Sequence, residues 1–245
     1  MRRRKRRPDG SATIRHEGQP VFGAFFGQSS WAGLALTRAS SCVPVGDVPA
    51  HVAAPLGCSG LTGAGAVLSV LRPRRGDCLL VVGGGGVGAT AALTALGEGV
   101  EVVVAEPVAA RRAVLEGVGA TTVASVGEVV GEVSHALDTT GRPDVIALAL
   151  GTLERHGVLC LVGLGAAEAA LDVRRILRRG LTVRGSLEGD ADPGDLVPEL
   201  LGRWREGRLP LERIVSTYPL TDIDEAIARQ RDGHVLKVVL EPHQM

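Results

Sequence analysis

A glycine-rich stretch directly after a short apolar run most strongly constrains how this chain folds. Residues 77–82 are Asp-Cys-Leu-Leu-Val-Val, a run typical of a buried strand, and "GGGGVGA" follows. The stretch contains the pattern Gly83-x-Gly85-x-x-Gly88 and leads into residues 86–96, whose Ala, Leu and Thr content predicts a helix. A strand, a glycine turn and a helix in this order predict a site for the pyrophosphate of a dinucleotide.

Each glycine of the pattern has its own physical reason. Gly83 allows a tight turn, Gly85 lets the pyrophosphate approach the backbone, and Gly88 lets the helix pack closely on the strand. Amides at the helix N-terminus carry partial positive charge, so we expect Gly86 and Val87 to bind phosphate as well. No Gly-Lys-Ser/Thr follows the turn, which excludes a P-loop.

An acidic residue ends the next predicted strand. Glu106 lies eighteen residues after Gly88, where a carboxylate can accept hydrogen bonds from the adenosine ribose and repel a 2′-phosphate. This favours NAD over NADP, although Arg111 and Arg112 are near enough in sequence to weaken the preference. The alternative is an acid that merely ends a strand. We expect Glu106 and Arg111 to contact the cofactor.

The central part of the chain alternates strands with helices. Predicted strands are 77–82, 100–106, "TTVAS", "HALDTT", 158–164 and 181–186, and predicted helices are 86–96, 107–119, 143–157 and "RRILRR". This alternation predicts an α/β fold with a doubly wound parallel sheet, a Rossmann sheet, covered on both faces. Ligands lie beyond the carboxyl ends of such strands. We therefore expect cofactor contacts from Thr139 and, at the nicotinamide, from Val162, Gly163 and Leu164.

The two ends of the chain have a different pattern. Short strands are predicted between residues 22 and 45, and a helix over 62–71. After residue 190 the pattern predicts a helix over 192–207, a strand at "IVSTYPL", a helix over 221–233 and a strand at "VLKVVL". Thr221 and Asp224 resemble a capping box at the start of the last helix. We divide the chain into a basic tail, 1–20, a segment 21–59, a dinucleotide-binding domain 60–190, and a carboxy-terminal segment 191–245.

Composition excludes several classes of function. The chain has 245 residues with 27 basic and 27 acidic side chains, and this neutral balance gives no reason to expect a nucleic acid or a membrane as partner. Its four cysteines form no Cys-x-x-Cys pair, which indicates reduced thiols and a cytoplasmic location. The opening "MRRRKRRPDG" lacks the apolar run that a signal peptide requires.

Five motifs, in order, resemble the zinc-type medium-chain alcohol dehydrogenases, and most of all their aryl-alcohol (benzyl alcohol) branch. The motifs are "FFGQSSWAGLAL", "PLGCSGLTGAGAV", "VVGGGGVGA", "ALDTTGRPD" and "LKVVL". The resemblance covers nearly the whole chain. It implies NAD-dependent oxidation of a primary, aromatic alcohol to the aldehyde, and remnants of a GroES-like catalytic lobe contributed by both chain ends. It also allows for a homo-oligomer.

The resemblance assigns roles to three further residues. The cysteine of the family's "GCxxxTG" motif is a catalytic zinc ligand, which here is Cys58, and the threonine four residues later, Thr62, lines the nicotinamide. A basic residue in the last strand region lies near the cofactor phosphates, and Lys237 has that position. Zinc would act as a Lewis acid on the alcohol oxygen.

The chain departs from the family pattern in its zinc ligands. A catalytic zinc has three protein ligands, and Cys58 matches one. His16, in "RHEGQ", is too close in sequence to Cys58 to replace the family histidine, and His51 is a weak candidate. We therefore expect an incomplete zinc site, in a chain that lacks the family's amino-terminal segment and is impaired in catalysis.

Three hypotheses remain open from the sequence. The first is an alcohol dehydrogenase polypeptide that is truncated. The second is a Rossmann module that binds NAD without chemistry. The third is a zinc-free quinone or enoyl reductase of the same superfamily, against which the "GCxxxTG" cysteine counts.

Overall fold

The computed structural model describes Ser11 and residues 14–21, 34–35 and 37–242. Ten strands occur in this part of the chain. They are β1 (Ile14–His16), β2 (Gln19–Val21), β3 (Cys78–Val82), β4 (Glu101–Ala105), β5 (Thr121–Val123), β6 (Val133–Asp138), β7 (Leu153–Leu161), β8 (Thr182–Gly185), β9 (Val215–Pro219) and β10 (Lys237–Glu241).

Seven α-helices lie between or beside the strands of the described part. They are α1 (Ala50–Ala53), α2 (Gly86–Gly97), α3 (Ala109–Gly117), α4 (Pro143–Thr152), α5 (Val173–Arg179), α6 (Pro193–Arg205) and α7 (Ile223–Arg231). Two consecutive π-helical segments, Gly60–Ala64 and Ala66–Leu71, precede β3.

Six parallel strands form the central sheet in the order β5-β4-β3-β6-β7-β8. The strand order reverses between β3 and β6, so the carboxyl ends of these two strands border a crevice. Val82 at the end of β3 is paired with Ala105 on one side and Asp138 on the other. The predicted doubly wound parallel sheet is confirmed.

Both faces of the sheet are buried against helices. Leu79 and Val81 of β3 pack in one apolar cluster with α2 and α6, whereas Leu80 and Val82 pack in a second cluster with α4. Alternate side chains of one strand therefore enter two separate cores, which explains why the strand sequence is continuously apolar.

The segments outside the sheet share the first of these clusters. Val52 and Leu56 from the region before the sheet, and Leu211 and Leu236 from the region after it, are buried there. Strands β9 and β10 pair in parallel, and β1 and β2 pair antiparallel, as two small separate sheets. The division of the chain into four segments stays a prediction.

The helix predicted over 143–157 is wrong in its last five residues. Helix α4 ends at Thr152 and the chain enters β7 at Leu153. Arg175 donates hydrogen bonds to the carbonyl oxygens of Leu150, Gly151 and Leu153. These bonds satisfy carbonyl groups at the helix end, so no further helical turn is required there.

Three other local predictions need correction. The segment predicted as a helix over 62–71 is helical but begins at Gly60 and is wound with π geometry. The capping box is wrong because α7 begins at Ile223, and the Thr221 hydroxyl donates to the side chain of Asp222 instead. No strand lies in residues 34–35 or 37–45, and the remainder of the region predicted as strands, 22–33 and 36, lies outside the described residues.

In the described part of the chain, no single helix is both long and apolar enough to cross a bilayer. One strongly bent pair, 50–57 with 60–71, meets those criteria only when its two members are taken together.

Candidate functional site

The glycine turn between β3 and α2 is shaped by two close backbone approaches. Gly83 has a φ of 94°, a conformation that side chains with a Cβ rarely adopt. A Cβ on Gly88 would lie 1.8 Å from the carbonyl oxygen of Gly83, so α2 can pack on β3 only because residue 88 is glycine. By contrast, a Cβ on Gly85 would meet no atom within 4 Å. The turn therefore leaves open space at Gly85.

The start of α2 faces this open space with a positive potential. Gly85 is the N-cap residue, and the amides of Gly86, Val87 and Gly88 are in the first turn, where α-helical amides lack intrahelical partners. Lys237 of β10 lies against the same turn, since a Cβ on Gly86 would be 3.2 Å from its Cδ. Unpaired backbone amides thus face the open space at the turn, and the side chain of Lys237 packs beside Gly86.

Glu106 follows β4 and is buried beside the turn, with 2% of its surface exposed. Its Oε2 accepts a hydrogen bond from the amide of Gly84 at 2.7 Å, and its Oε1 accepts one from the amide of Val108 at 3.0 Å. The carboxylate therefore holds the glycine turn to the end of β4. An ionised carboxylate offers about four acceptor positions, so capacity for a further donor remains.

Two arginines follow Glu106, and both bind protein groups. Arg111 Nη1 lies 3.7 Å from Glu106 Oε2, and its Nη2 donates to the carbonyl of Gln230 in α7 at 2.9 Å. Arg112 donates to the carbonyls of Glu106 and Pro107. Arg111 thereby connects the end of β4 to the carboxy-terminal helix, a contact that the sequence did not predict.

A cleft of about 550 Å³ opens beyond the ends of β3, β4 and β6. One wall of the cleft is formed by the glycine turn and Glu106. Another wall is apolar and contains Val126, Val145 and Leu148. Arg111 and Thr139 also line the cleft. An apolar wall opposite buried acceptors suits a flat heterocycle attached to a sugar.

Thr139 joins the ends of β6 and β3 across the crevice. Its amide and its hydroxyl both donate to the carbonyl of Val82, at 3.0 and 2.8 Å. A Cβ on Gly83 would be 2.5 Å from Thr139 Oγ1, so the threonine also requires glycine at that position. Because its proton is already donated to the backbone, the hydroxyl can offer a ligand only an acceptor.

Asp138 is a functional candidate that the sequence analysis did not identify. It is fully buried, and its carboxylate accepts hydrogen bonds from Thr140 and Gly141 in the loop after β6. The signal was present in "ALDTTG", where an acid ends an apolar strand immediately before residues that can donate to it.

The end of β7 is packed tightly against that loop. The amides of Val162 and Gly163 both donate to the carbonyl of Asp138, at 3.0 and 3.1 Å. A Cβ on Gly163 would lie 2.2 Å from the amide nitrogen of Gly141. Leu164, the next residue, is 97% exposed. The three residues expected at the nicotinamide thus lie at the carboxyl edge of the sheet, beside Asp138.

Cys58 and Thr62 lie at the start of the π-helical region. Cys58 is exposed, and its carbonyl accepts a hydrogen bond from the amide of Thr62 at 2.9 Å. A Cβ on Gly63 would be 2.3 Å from the carbonyl oxygen of Val87. This close contact brings the residue after Thr62 directly against the first turn of α2.

Zinc does not fit the described residues. No group of three His, Cys, Asp or Glu side chains that could hold a metal ion occurs in residues 14–21, 34–35 and 37–242. Cys58 belongs to no such group of three there, and His16 lies in β1 while His51 lies in α1. A catalytic zinc has three protein ligands, so no zinc-dependent step is assigned to these residues.

The chain is similar to known dehydrogenases in sequence and structure. Residues 86–202 match the family model described as zinc-binding dehydrogenase. The geraniol dehydrogenase of Castellaniella defragrans is 38% identical over 249 aligned residues, which cover 96% of this chain and 67% of that protein.

Two crystal structures resemble the chain along nearly its whole length. The alcohol dehydrogenase zinc-binding domain protein of Burkholderia ambifaria has a TM-score of 0.85 at 35% identity, covering 96% of this chain and 68% of that one. The benzyl alcohol dehydrogenase of Acinetobacter calcoaceticus has a TM-score of 0.87 at 29% identity, covering 98% and 68%. The chain thus spans about two thirds of the length of each of these relatives.

Proposed function

This chain belongs to the zinc-binding alcohol dehydrogenase family, and from that premise we propose that it binds NAD for the oxidation of an alcohol to an aldehyde. The observation that carries the proposal is the glycine turn. Gly88 permits the helix to pack on β3, Gly85 leaves open space, and Lys237 lies at the helix start. These are the requirements for a bound pyrophosphate.

In this proposal the pyrophosphate binds the amides at the start of α2. Gly85, Gly86, Val87 and Gly88 provide the backbone surface, and Lys237 provides a neutralising charge. The residues fit because the site combines unpaired helix amides, a cation and unobstructed backbone.

The adenosine then occupies the cleft beyond β3 and β4. Its adenine contacts the apolar wall, and its ribose hydroxyls donate to the remaining acceptor positions of Glu106. A 2′-phosphate would meet the negative charge of Glu106, which favours NAD over NADP. Arg111, 3.7 Å from that carboxylate, moderates the repulsion.

The nicotinamide lies at the carboxyl ends of β6 and β7. One side of the ring is bordered by Val162, Gly163 and Leu164. Other sides of the ring are bordered by Thr139 and Thr62. NAD, when bound, supplies the acceptor for the hydride of the alcohol. The residues of this chain bind and orient the ring, since the tight loop contacts after β6 fix the edge on which it rests.

The proposed substrate is a small primary alcohol whose hydroxyl-bearing carbon adjoins a π system. Two relatives carry such substrates in their names, geraniol and benzyl alcohol, and both alcohols have this feature. The partners we propose are therefore a small-molecule alcohol and its aldehyde, in the cytoplasm.

A second candidate function is an NAD-binding module without alcohol oxidation. The observation that favours it is the set of metal donors, because Cys58 belongs to no group of three metal-binding side chains in the described part of the chain. In both candidates the cofactor site is the same, and the two differ in whether this chain alone turns over an alcohol.

One experiment tests the proposal with the 245-residue chain. NAD binding is measured by calorimetry, and NADH formation is followed with benzyl alcohol or geraniol, with and without added zinc. We expect NAD binding without steady turnover, because oxidation is impaired in the first candidate and absent in the second. Slow NADH formation that requires added zinc would favour the first candidate, and none would favour the second. Absence of NAD binding would overturn the proposed function, and steady NADH production that the Cys58→Ser variant loses would overturn the expectation of impaired catalysis.

A further inference from the structure

Arg111 spans the gap between the end of β4 and the carboxy-terminal helix α7. Its Nη1 lies 3.7 Å from Glu106 Oε2, and its Nη2 donates a hydrogen bond to the backbone carbonyl of Gln230 at 2.9 Å. The side chain is only 22% exposed, so water competes weakly for both contacts. The bond to Gln230 joins residues 119 positions apart in the chain, and it therefore fixes the position of α7 relative to β4.

The chain that follows Gln230 packs on the same side chains. Gly233 is buried with a φ of 82°. A Cβ on Gly233 would overlap the side chain of Val108 and would lie 3.4 Å from Arg111 Cγ. The end of α7 is thus fixed to the segment after β4 by one hydrogen bond and one close packing contact.

Gln230 also connects α7 to the first residue of β10. Its Nε2 donates to the carbonyl of Leu236 at 3.5 Å, and Leu236 is buried. A Cβ on Gly86 would lie 3.6 Å from that carbonyl oxygen and 3.2 Å from Lys237 Cδ. The residue that Arg111 binds therefore also binds the carbonyl that precedes Lys237, and both Leu236 and Lys237 lie against the first turn of α2.

These contacts form a closed path around the glycine turn. The path begins at Gly84, whose amide binds Glu106. It crosses to α7 through Arg111 and Gln230, and it returns to the turn at Gly86. Residues that share one network of contacts do not respond independently to substitution. Loss of Arg111 opens this path and releases one of the contacts that place β10 beside α2.

We propose that Arg111 is a positioning residue, which holds α7 to the end of β4 and so keeps Lys237 beside the first turn of α2 for binding the pyrophosphate. This inference rests on the proposed function, because it requires that the turn binds pyrophosphate. A direct contact between Arg111 and the adenosine is the competing role, since Arg111 lines the cleft and its Nε is buried without a partner among the described residues.

The test is a double-mutant cycle on the affinity for ADP, measured by calorimetry on the full chain. ADP is the probe because it contains the adenosine and the diphosphate of the cofactor. Lys237→Met removes a charge-assisted contact, so the Kd for ADP should rise at least about tenfold. Arg111→Met should raise this Kd at least about threefold in the parent chain and less than about twofold in the Lys237→Met background, where no lysine is left to position.

Arg112→Met is the matched control for the cycle. Arg112 carries the same charge one residue further along, but its hydrogen bonds go to the carbonyls of Glu106 and Pro107, within its own segment. Its replacement should have the same effect on ADP affinity with and without Lys237. Adenosine, which has no phosphate, is the second probe, and Arg111→Met should leave its affinity unchanged.

Three results would overturn the inference and leave the proposed function standing. The first is an equal effect of Arg111→Met in the two backgrounds. The second is the same non-additivity in Arg112→Met, which would assign the coupling to charge alone. The third is a loss of adenosine affinity in Arg111→Met as large as its loss of ADP affinity, which would make Arg111 a direct ligand of the nucleoside.

Two further outcomes are also decisive. If the parent chain does not bind ADP, the proposed function fails and the inference fails with it. Circular dichroism checks folding, and if Arg111→Met does not fold, Gln230→Met takes its place in the cycle. That variant removes the hydrogen bond to the Leu236 carbonyl without changing a charge, and additivity with Lys237→Met would overturn the inference in the same way.

Discussion

Glu106 illustrates how one side chain can have a structural contact that its sequence position does not reveal. The spacing from Gly88 predicted a ribose ligand, and this role remains a proposal. The structure adds that the carboxylate holds the amides of Gly84 and Val108. Sequence reasoning missed this because the partners are backbone groups, one of them 22 residues away, and backbone donors leave no pattern in the residue types.

Replacing Glu106 by Gln tests both roles at once. The amide side chain lacks the negative charge that opposes a 2′-phosphate, so we expect the preference for NAD over NADP to fall at least about tenfold. One of the two backbone amides also loses its acceptor, which should lower the free energy of unfolding by about 1–3 kcal/mol. Cofactor titrations and urea denaturation provide the two readouts.

Glu225→Gln is the control for that variant. Glu225 is an exposed residue of α7 that forms only a surface pair with Arg229 at 3.7 Å. Its replacement should change neither quantity by a measurable amount. If Glu106→Gln discriminates against NADP as strongly as the parent chain does, Glu106 is not the ribose ligand.

His135 of β6 gives the chain a predictable pH dependence. Burial lowers the pKa of this histidine below its usual 6.5, and the nearby Asp77 opposes the shift only in part. The unfolded chain therefore binds a proton more readily than the folded one as the pH falls below about 6.5. The free energy of unfolding should decrease over this range and level off below the folded pKa.

Urea denaturation at pH 7.5, 6.5 and 5.5 measures this effect. The His135→Gln variant lacks the titrating group and should lose less stability between pH 7.5 and 5.5 than the parent chain does. Identical pH slopes in the two proteins would mean that His135 makes no such contribution.

At the level of elements, the sequence predicted β3 and β4 of the central sheet well because each is a short apolar run. It predicted the end of α4 poorly, since that end depends on Arg175, which lies more than twenty residues further along the chain. The π winding of residues 60–71 was also missed. Apolar periodicity distinguishes helix from strand, but it does not resolve how many residues one helical turn contains.

The packing of α2 on β3 should not tolerate any side chain at residue 88. In Gly88→Ala the added methyl would overlap the carbonyl of Gly83, a backbone atom that cannot move without shifting the whole turn. We expect a loss of at least about 3 kcal/mol in the free energy of unfolding, at the upper end for overpacked cores. Urea denaturation of Gly88→Ala and the parent chain measures this loss of stability. An unchanged midpoint would contradict the prediction.

At the scale of the whole molecule, the described segments before and after the central sheet share the apolar cluster that covers one of its faces. The sequence predicted the sheet and its two covered faces from the alternation of strands and helices. It could not predict the hydrogen bonds that Asp138 forms with the loop after β6 and with the end of β7, because these bonds depend on the folded arrangement.

Homo-oligomer formation stays a prediction. Strand β8 is an edge strand of the central sheet, and an edge strand is an element that can pair with another chain.

The central claim is that the glycine turn binds the NAD pyrophosphate, and calorimetric titration of NAD into the parent chain and Gly85→Ala tests it most directly. A Cβ on Gly85 meets no protein atom within 4 Å, so the variant should unfold at the same urea concentration as the parent. Its methyl would occupy the space that the pyrophosphate needs, so NAD affinity should fall at least about tenfold. Equal NAD affinity in the two proteins, or no binding to either, would contradict the account.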